Sequence, residues 1–303
     1  MSKVSSKAPD KGQIDNVINI EGIGIKYAIK LKRAGIKTTE DLRLNSLVEI
    51  VENTNISSKL VYRWQCLSDL FRLKKAAEEW TELLFEVEAE TVKEVSKQDA
   101  NDLQNKIELY VKKNKRKKGW RGKVKRIPSE SDVKKMIDSA KTLVKKTVDA
   151  SIAHLDEKAK QTSKDPEKGQ VGNVIDIEGI SKETAKDLKA VGIETTEQLR
   201  RESLVEIVEA TNLSPKRIYK WQCLSDLFRV KRIAEEYSDL LLFAGIQTVK
   251  EVSRQKIRPL YNRVKRFAIK ANKEGGWAGD IKKLPSKDDI KQWIVSAKEL
   301  VKK

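Results

Sequence analysis

The chain has 303 residues and carries 63 Lys and Arg against 45 Asp and Glu, which gives a formal net charge of +18. That length predicts about two domains, and the positive excess predicts a polyanionic partner. No apolar run reaches the roughly 18 residues of a membrane helix, and the N-terminus has no apolar signal segment. Two cysteines make no disulfide framework, and one histidine leaves no His/Cys metal cluster or Ser–His pair. We therefore expect a cytoplasmic, non-catalytic protein.

One module occurs twice, at an offset of 157 residues. INIEGIG at Ile18–Gly24 recurs as IDIEGIS at Ile175–Ser181, and WQCLSDLFR at Trp64–Arg72 recurs unchanged at Trp221–Arg229. A period this long indicates duplicated domains, because solenoid repeats run about 20–50 residues. The domains predicted are a basic tail at 1–11, a module at 12–146, a partly helical linker at 147–168 and a module at 169–303. The two modules carry net charges of +9 and +8, so the charge belongs to them.

In chain order, the apolar spacing of the module predicts helices throughout. Ile25, Ala28, Ile29 and Leu31 indicate a helix that ends at Gly35, where a left-handed residue is expected. Thr38 then offers an N-cap with Asp41 as its capping-box partner. The helices that follow, with equivalents in the second copy, are predicted at Ser46–Glu52, Val61–Leu73, Ala76–Phe85 and Thr91–Ser96, and Ser129 and Ser286 open the final helices. The predicted fold class is all-α.

The segment Ile20-Glu21-Gly22-Ile23-Gly24, with Ala28, Leu31 and Gly35 after it, resembles a helix-hairpin-helix element. The second copy has Gly179, Ile180 and Ser181 at the hairpin. The resemblance implies that Gly22 and Gly179 allow a tight turn, that Ile23 and Ile180 plug the hairpin into the core, and that main-chain amides bind a DNA phosphate. In that case Gly24, Lys26, Ser181 and Lys182 lie at the contact. Some relatives also bind a monovalent cation through hairpin carbonyls, so such an ion is expected as the only cofactor, at Gly22–Gly24 and Gly179–Ser181.

A second hairpin of each module lacks the glycines. Its place is taken by Lys74 and Lys75 in the first copy and by Lys231 and Arg232 in the second. Docking through amides is not expected there, and the four side chains either meet phosphate as charges or lie on a solvated helix start. Viewed whole, each module resembles an uncharacterised prokaryotic domain family built from paired helix-hairpin-helix units, whose last helix follows a Leu-Pro-Ser-type cap.

A basic stretch, Lys112–Arg126, contains ten basic residues and no acidic one. Its Trp120 either stacks on an exposed base or folds back on the module core. The second copy is more dilute here but has compensating charges nearby. The phosphate-contact candidates are Lys115, Arg116, Lys117, Lys118, Arg121 and Lys123 in the first copy and Arg263, Lys265 and Arg266 in the second.

These observations favour non-catalytic, sequence-independent nucleic-acid binding, with double-stranded DNA as the expected partner and the nucleoid as the expected location in a prokaryote. Bridging or compaction of DNA by the two modules is part of this hypothesis. The alternative is a structural or adaptor protein that binds an acidic protein or a ribonucleoprotein such as the ribosome. No metal site and no membrane partner are expected.

Overall fold

The chain forms helices wherever it is described in the computed structural model, which covers residues 15–74, 78–114, 126–158, 172–233, 235–274 and 284–302. Within these ranges there is no strand, only the isolated bridges Asn16↔Thr38 and Asn173↔Thr195. The all-α prediction with two repeated modules is therefore confirmed. None of the described helices is both long and apolar enough to cross a membrane.

The first copy begins with a 3₁₀ turn at Val17–Asn19. Its helices are α1 (Ile25–Arg33), α2 (Thr39–Leu44), α3 (Leu47–Thr54), α4 (Ser58–Leu70), α5 (Glu78–Glu86), α6 (Val92–Ser96), α7 (Ala100–Asn114) and α8 (Glu130–Lys158). The backbone of α8 thus continues through the first part of the segment predicted as a linker.

The second copy repeats the order after a 3₁₀ turn at Val174–Asp176. Its helices are α9 (Lys182–Ala190), α10 (Thr196–Arg201), α11 (Leu204–Ala210), α12 (Pro215–Leu227), α13 (Glu235–Phe243), α14 (Val249–Ser253), α15 (Ile257–Glu274) and α16 (Lys287–Val301). Helices α7 and α15 were not predicted individually. Their inner faces are Leu103, Ile107 and Val111 in α7 and Leu260, Val264 and Ala268 in α15, all buried at i, i+4 spacing.

The predicted helix caps are present. Thr38 and Asp41 form a reciprocal capping box at α2, and Thr195 and Gln198 form the same box at α10. Ser286 caps α16, and Pro215 is the first residue of α12, where its missing N–H costs nothing. Such boxes satisfy the otherwise unpaired N–H groups of the first turn, so they define where these short helices begin.

The chain folds into two compact units that do not coincide with the two sequence modules. The first unit comprises Met1–Asn45, Lys59–Lys158 and Ser203–Pro215, and the second comprises Ser46–Ser58, Ala159–Glu202 and Lys216–Lys303. The first unit therefore contains α11 in place of α3, and the second contains α3 in place of α11. Helix α11 packs on α2 and α8, whereas α3 packs on α10. The modules thus exchange one equivalent helix.

Buried charges hold each exchanged helix in its unit. In the first unit the carboxylate of Glu209, on α11, accepts hydrogen bonds from Arg43 and Arg72, and Arg72 also pairs with buried Asp69 at 2.7 Å. In the second unit Glu52, on α3, is the equivalent residue. Its carboxylate lies 2.8 Å from Arg229 and 3.9 Å from Arg200. Glu209 is the more enclosed, since its side chain is 4% exposed against 29% for Glu52.

The cores of the units lie beneath the C-terminal helices. In the first unit α6 and α7 pack against α8, and in the second α14 and α15 pack against α16. Trp64 and Trp221 are buried in α4 and α12, one in each unit. Cys66 and Cys223 are also fully buried and free, and this burial raises the pKa of both thiols. They are apolar core residues.

Candidate nucleic-acid interface

The glycine hairpin of the first copy is a tight turn between Ile20 and Ile23. The Ile23 N–H donates to the Ile20 carbonyl at 3.0 Å, and Gly22 has a φ of +87°. That conformation suits glycine because it has no Cβ. The second copy has the same turn, with Gly179 at +84° and a 3.1 Å bond from Ile180 to Ile177. Ile23 and Ile180 are buried, so they anchor the hairpins as predicted and leave any contact to the backbone.

Aromatic packing from α4 positions this hairpin. The ring of Tyr27, in the first turn of α1, meets Trp64 edge-on with centroids 5.2 Å apart. A Cβ at Gly22 would come within 3.4 Å of the Trp64 indole nitrogen. The hairpin therefore rests on a fully buried side chain of a neighbouring helix, and this support keeps the start of α1 in place.

The N-terminus of α1 is open. Gly24 is its N-cap residue and makes no side-chain cap, and the first turn holds no acidic residue. Within the described chain, the N–H groups of Gly24, Ile25 and Lys26 have no protein acceptor. A Cβ added at Gly24 would meet nothing within 4 Å. Unpaired amides at the positive end of a helix dipole form a site suited to phosphate.

The equivalent start of α9 differs because it carries a side-chain cap. Ser181 caps the helix, because its hydroxyl accepts the Thr184 N–H at 3.2 Å. Glu183 lies in the same first turn, and hydrogen bonding with its own backbone and with Ser181 lowers its pKa. An anion at this end would meet a carboxylate already in place. The two hairpins share a backbone but differ in what they leave available to a ligand.

Charge separates the two hairpin helices further. Residues 25–37 contain five basic residues and no acidic one, whereas the aligned residues 182–194 contain three of each. Lys26 and Lys182 are both exposed. Helix α1 therefore adds positive side chains to its open amides, while α9 is close to neutral.

The resemblance also implies a monovalent cation bound by hairpin carbonyls. The Gly24 carbonyl already accepts hydrogen bonds from the amides of Tyr27 and Ala28 at 2.9 and 3.0 Å. The cation therefore stays a prediction.

The second hairpin of the second copy keeps the turn without its glycine. The Ile233 N–H donates to the Val230 carbonyl at 3.2 Å, and Arg232 takes the positive φ, +66°, that Gly22 has in the first hairpin. The indole N–H of Trp293 donates to the Arg232 carbonyl at 3.2 Å and helps to hold this conformation. This turn therefore forms without a glycine. A sequence search for glycine patterns does not find it.

Basic side chains around that turn face solvent beside acidic ones. Lys231 and Arg232 are exposed and line a cavity of about 430 Å³ together with Lys291, Asp288 and Glu299. The mixture of charges makes this cavity a weaker anion site than the start of α1. In the first copy Lys74 is exposed, and Lys75 lies outside the described residues.

Helix α15 carries the other predicted residues that are described. Lys265 and Arg266 are exposed and Arg263 is half-buried. Arg258, which is not among the predicted contact residues, is exposed in the same helix. Its i, i+8 spacing from Arg266 is the sequence feature from which this contact could have been predicted. The remaining candidates, Lys115, Arg116, Lys117, Lys118, Arg121 and Lys123, lie outside the described residues, as does Trp120.

No group of three or more potential metal ligands among His, Cys, Asp and Glu occurs in the described residues. A family model described as "Domain of unknown function (DUF4332)" matches residues 21–143 and again residues 178–300. The two matches follow the repeat, with one in each copy. Comparison with curated proteins and with solved structures gave no match.

Proposed function

From the premise that this chain belongs to the DUF4332 family as a tandem duplication, we propose that it is a non-catalytic, sequence-independent nucleic-acid-binding protein. Its expected ligand is double-stranded DNA. The contact runs through the first glycine hairpin and the basic side chains of helix α1. The family description names no activity, so the proposal rests on the chemistry of this chain.

The open start of α1 is the observation that carries the proposal. Residues 24–37 combine three features: three amides without a protein acceptor, an N-cap glycine with free space around its Cα, and five basic residues with no acidic one. A helix N-terminus alone binds any small anion. The added row of lysines favours a ligand with several phosphates, because each neutralised phosphate releases a counterion.

This mode of contact reads no bases. Backbone amides and lysines bind phosphate oxygens, which position a protein on nucleic acid without reporting its sequence. The absence of a bulky side chain at Gly24 lets the phosphodiester chain approach the main chain closely. We therefore expect similar affinities for unrelated duplex sequences and a strong dependence on salt.

The test is fluorescence anisotropy with labelled duplex DNA, single-stranded DNA and structured RNA across a salt series of about 50 to 200 mM. With roughly four to eight phosphates contacted, log K should fall against log salt with a slope of about −4 to −7. Absence of binding to all three probes at low salt would overturn the proposal. Co-purification of an acidic protein or a ribonucleoprotein with this chain, in the absence of binding to the three probes, would support the adaptor alternative.

The site itself is tested with Gly24→Leu. The φ of −77° and ψ of 170° at Gly24 suit any L-residue, and the added side chain enters open space. The variant should fold but should keep a phosphate away from the amides. Loss of a hydrogen bond to a charged group predicts about tenfold weaker binding. The matched control is Ser181→Leu at the equivalent hairpin of the second copy, for which binding should change less than about twofold. Equal losses in the two variants would refute docking at the first hairpin.

A further inference from the structure

Helix α15 presents a basic face that the hairpin mechanism does not use. Its inner side, Leu260, Val264 and Ala268, is buried against the core of the second unit. Arg258, Lys265 and Arg266 face solvent, and Arg263 lies at the border. None of these four side chains has an acidic partner among the described residues. Residues 257–273 contain six basic residues and no acidic one.

The fold does not require this charge. Helix α7 occupies the equivalent place in the first copy and packs against α8 as α15 packs against α16. Residues 100–114, the whole of α7, contain three basic and two acidic residues, whereas the aligned residues 257–271 contain five basic residues and no acidic one. Glu108 stands where α15 has Lys265. Like charges three and four positions apart destabilise a helix by a few tenths of a kcal/mol per pair, so the face of α15 is not explained by stability.

The charges of the two copies are distributed in opposite ways. In the first copy the hairpin helix α1 is basic, and α7 is near neutral up to Lys112, where the basic stretch Lys112–Arg126 begins. In the second copy the hairpin helix α9 is near neutral, with Glu183 in its first turn, and α15 is basic. Each copy therefore keeps one strongly basic helix, at a different place in the module.

We propose that the second copy binds the phosphodiester backbone of a nucleic acid through the outer face of α15, with Arg258, Arg263, Lys265 and Arg266 as its contacts. This inference rests on the proposed function and assigns the second copy a surface made of side chains rather than hairpin amides. Charge complementarity selects the ligand, because four unpaired cations span two turns of one helix. Between Arg258 and Arg266 the helix rises about 12 Å, which is comparable to the span of two or three phosphates along one DNA strand.

The test replaces the four residues in the full-length chain: Arg258→Gln, Arg263→Gln, Lys265→Gln and Arg266→Gln. Glutamine keeps the helix propensity near that of Lys and Arg. Loss of two or three phosphate contacts should weaken duplex binding by about tenfold or more and reduce the steepness of the salt dependence by about 2 to 3. Single-stranded DNA and RNA probes report whether the same face accepts unpaired strands. Circular dichroism confirms that the helices are retained.

The matched control removes four charges from the near-neutral helices α7, α9 and α16: Lys106→Gln, Lys186→Gln, Lys189→Gln and Lys298→Gln. It lowers the net charge equally, so it accounts for general electrostatic attraction, and its salt slope should change by less than about 1. If the parent chain binds and the two variants weaken binding equally, the α15 surface is wrong while the proposed function stands. If the parent chain binds no nucleic acid, both proposals are overturned.

Discussion

The exchanged helix α11 depends on one buried carboxylate, so Glu209→Gln should loosen it selectively. In the first unit Glu209 accepts hydrogen bonds from Arg43 and Arg72 and is almost fully enclosed. The substitution keeps the shape of the side chain and leaves two buried guanidinium groups without this countercharge. Removing one partner of a buried ion pair costs about 3–5 kcal/mol. Because Arg43 retains Glu40 and Arg72 retains Asp69, we expect the lower end, about 3 kcal/mol.

Glu52→Gln is the internal control for that magnitude. Glu52 occupies the equivalent position in the second unit, but its side chain is 29% exposed. Exposed ion pairs contribute about 1 kcal/mol or less. The two variants should therefore differ by about 2 kcal/mol, which corresponds to roughly a thirtyfold difference in the local opening equilibrium.

Hydrogen–deuterium exchange read by mass spectrometry measures this opening segment by segment. In Glu209→Gln, exchange should accelerate in α11 and in α2, which packs on it in the first unit, while α10 stays protected. Without helix exchange, Glu209 would pair within its own module with Arg200 and Arg229. Deprotection of α10 and α12 together with an unchanged α2 would therefore refute the exchanged arrangement. Equal effects of the two variants would refute the magnitude worked from burial.

Two further predictions concern backbone strain and pH. Glu88 holds a left-handed φ of +67° where the second copy has Gly245 at +75°. Since that conformation costs an L-residue about 1–2 kcal/mol and glycine loses about 0.5–1 kcal/mol more entropy on folding, Glu88→Gly should stabilise the protein by about 0.5–1 kcal/mol in urea unfolding. The reciprocal Gly245→Ala should destabilise it, and a loss of stability in Glu88→Gly would contradict this account. Burial favours a raised pKa for Glu197, but the hydrogen bonds and charges of Arg200 and Arg201 outweigh it and lower the pKa to about 2. The stability from this carboxylate is present above its ordinary pKa of 4.5 and is lost as pH falls towards 2. The melting temperature of Glu197→Gln should therefore depend less on pH in that window than the melting temperature of the parent protein does. An unchanged pH profile would show that the ion pairs contribute nothing.

Much of the local structure was predictable because its causes lie within a few residues. Gly22 and Gly179 mark a positive φ, Thr38 with Asp41 marks a helix start, and the buried isoleucines of the hairpin follow from the apolar spacing. The turn at Arg232 was not predictable in this way. It has no glycine, and it is held by Trp293, which lies 61 residues away in the chain.

The candidate site was partly predictable. Spacing located the hairpins, and local charge identified Arg263, Lys265 and Arg266, three of the four basic residues now assigned to α15. The difference between the hairpins includes a hydrogen bond that only coordinates reveal, since the Ser181 hydroxyl caps one helix start and Gly24 leaves the other uncapped. Sequence similarity alone made the two hairpins equivalent.

By itself, the sequence determined that this protein is an all-helical duplication with a basic charge on each copy. Those properties follow from composition, apolar period and the 157-residue offset. Which copy supplies each short helix was decided only by the tertiary structure. Arg43 and Arg200, Glu52 and Glu209, and Arg72 and Arg229 are identical pairs, so each carboxylate finds the same chemistry in its own module or in the other. Because these local interactions are degenerate, the sequence does not distinguish the two arrangements, and the exchange is evident only from the packing of α11 on α2 and α8 and of α3 on α10.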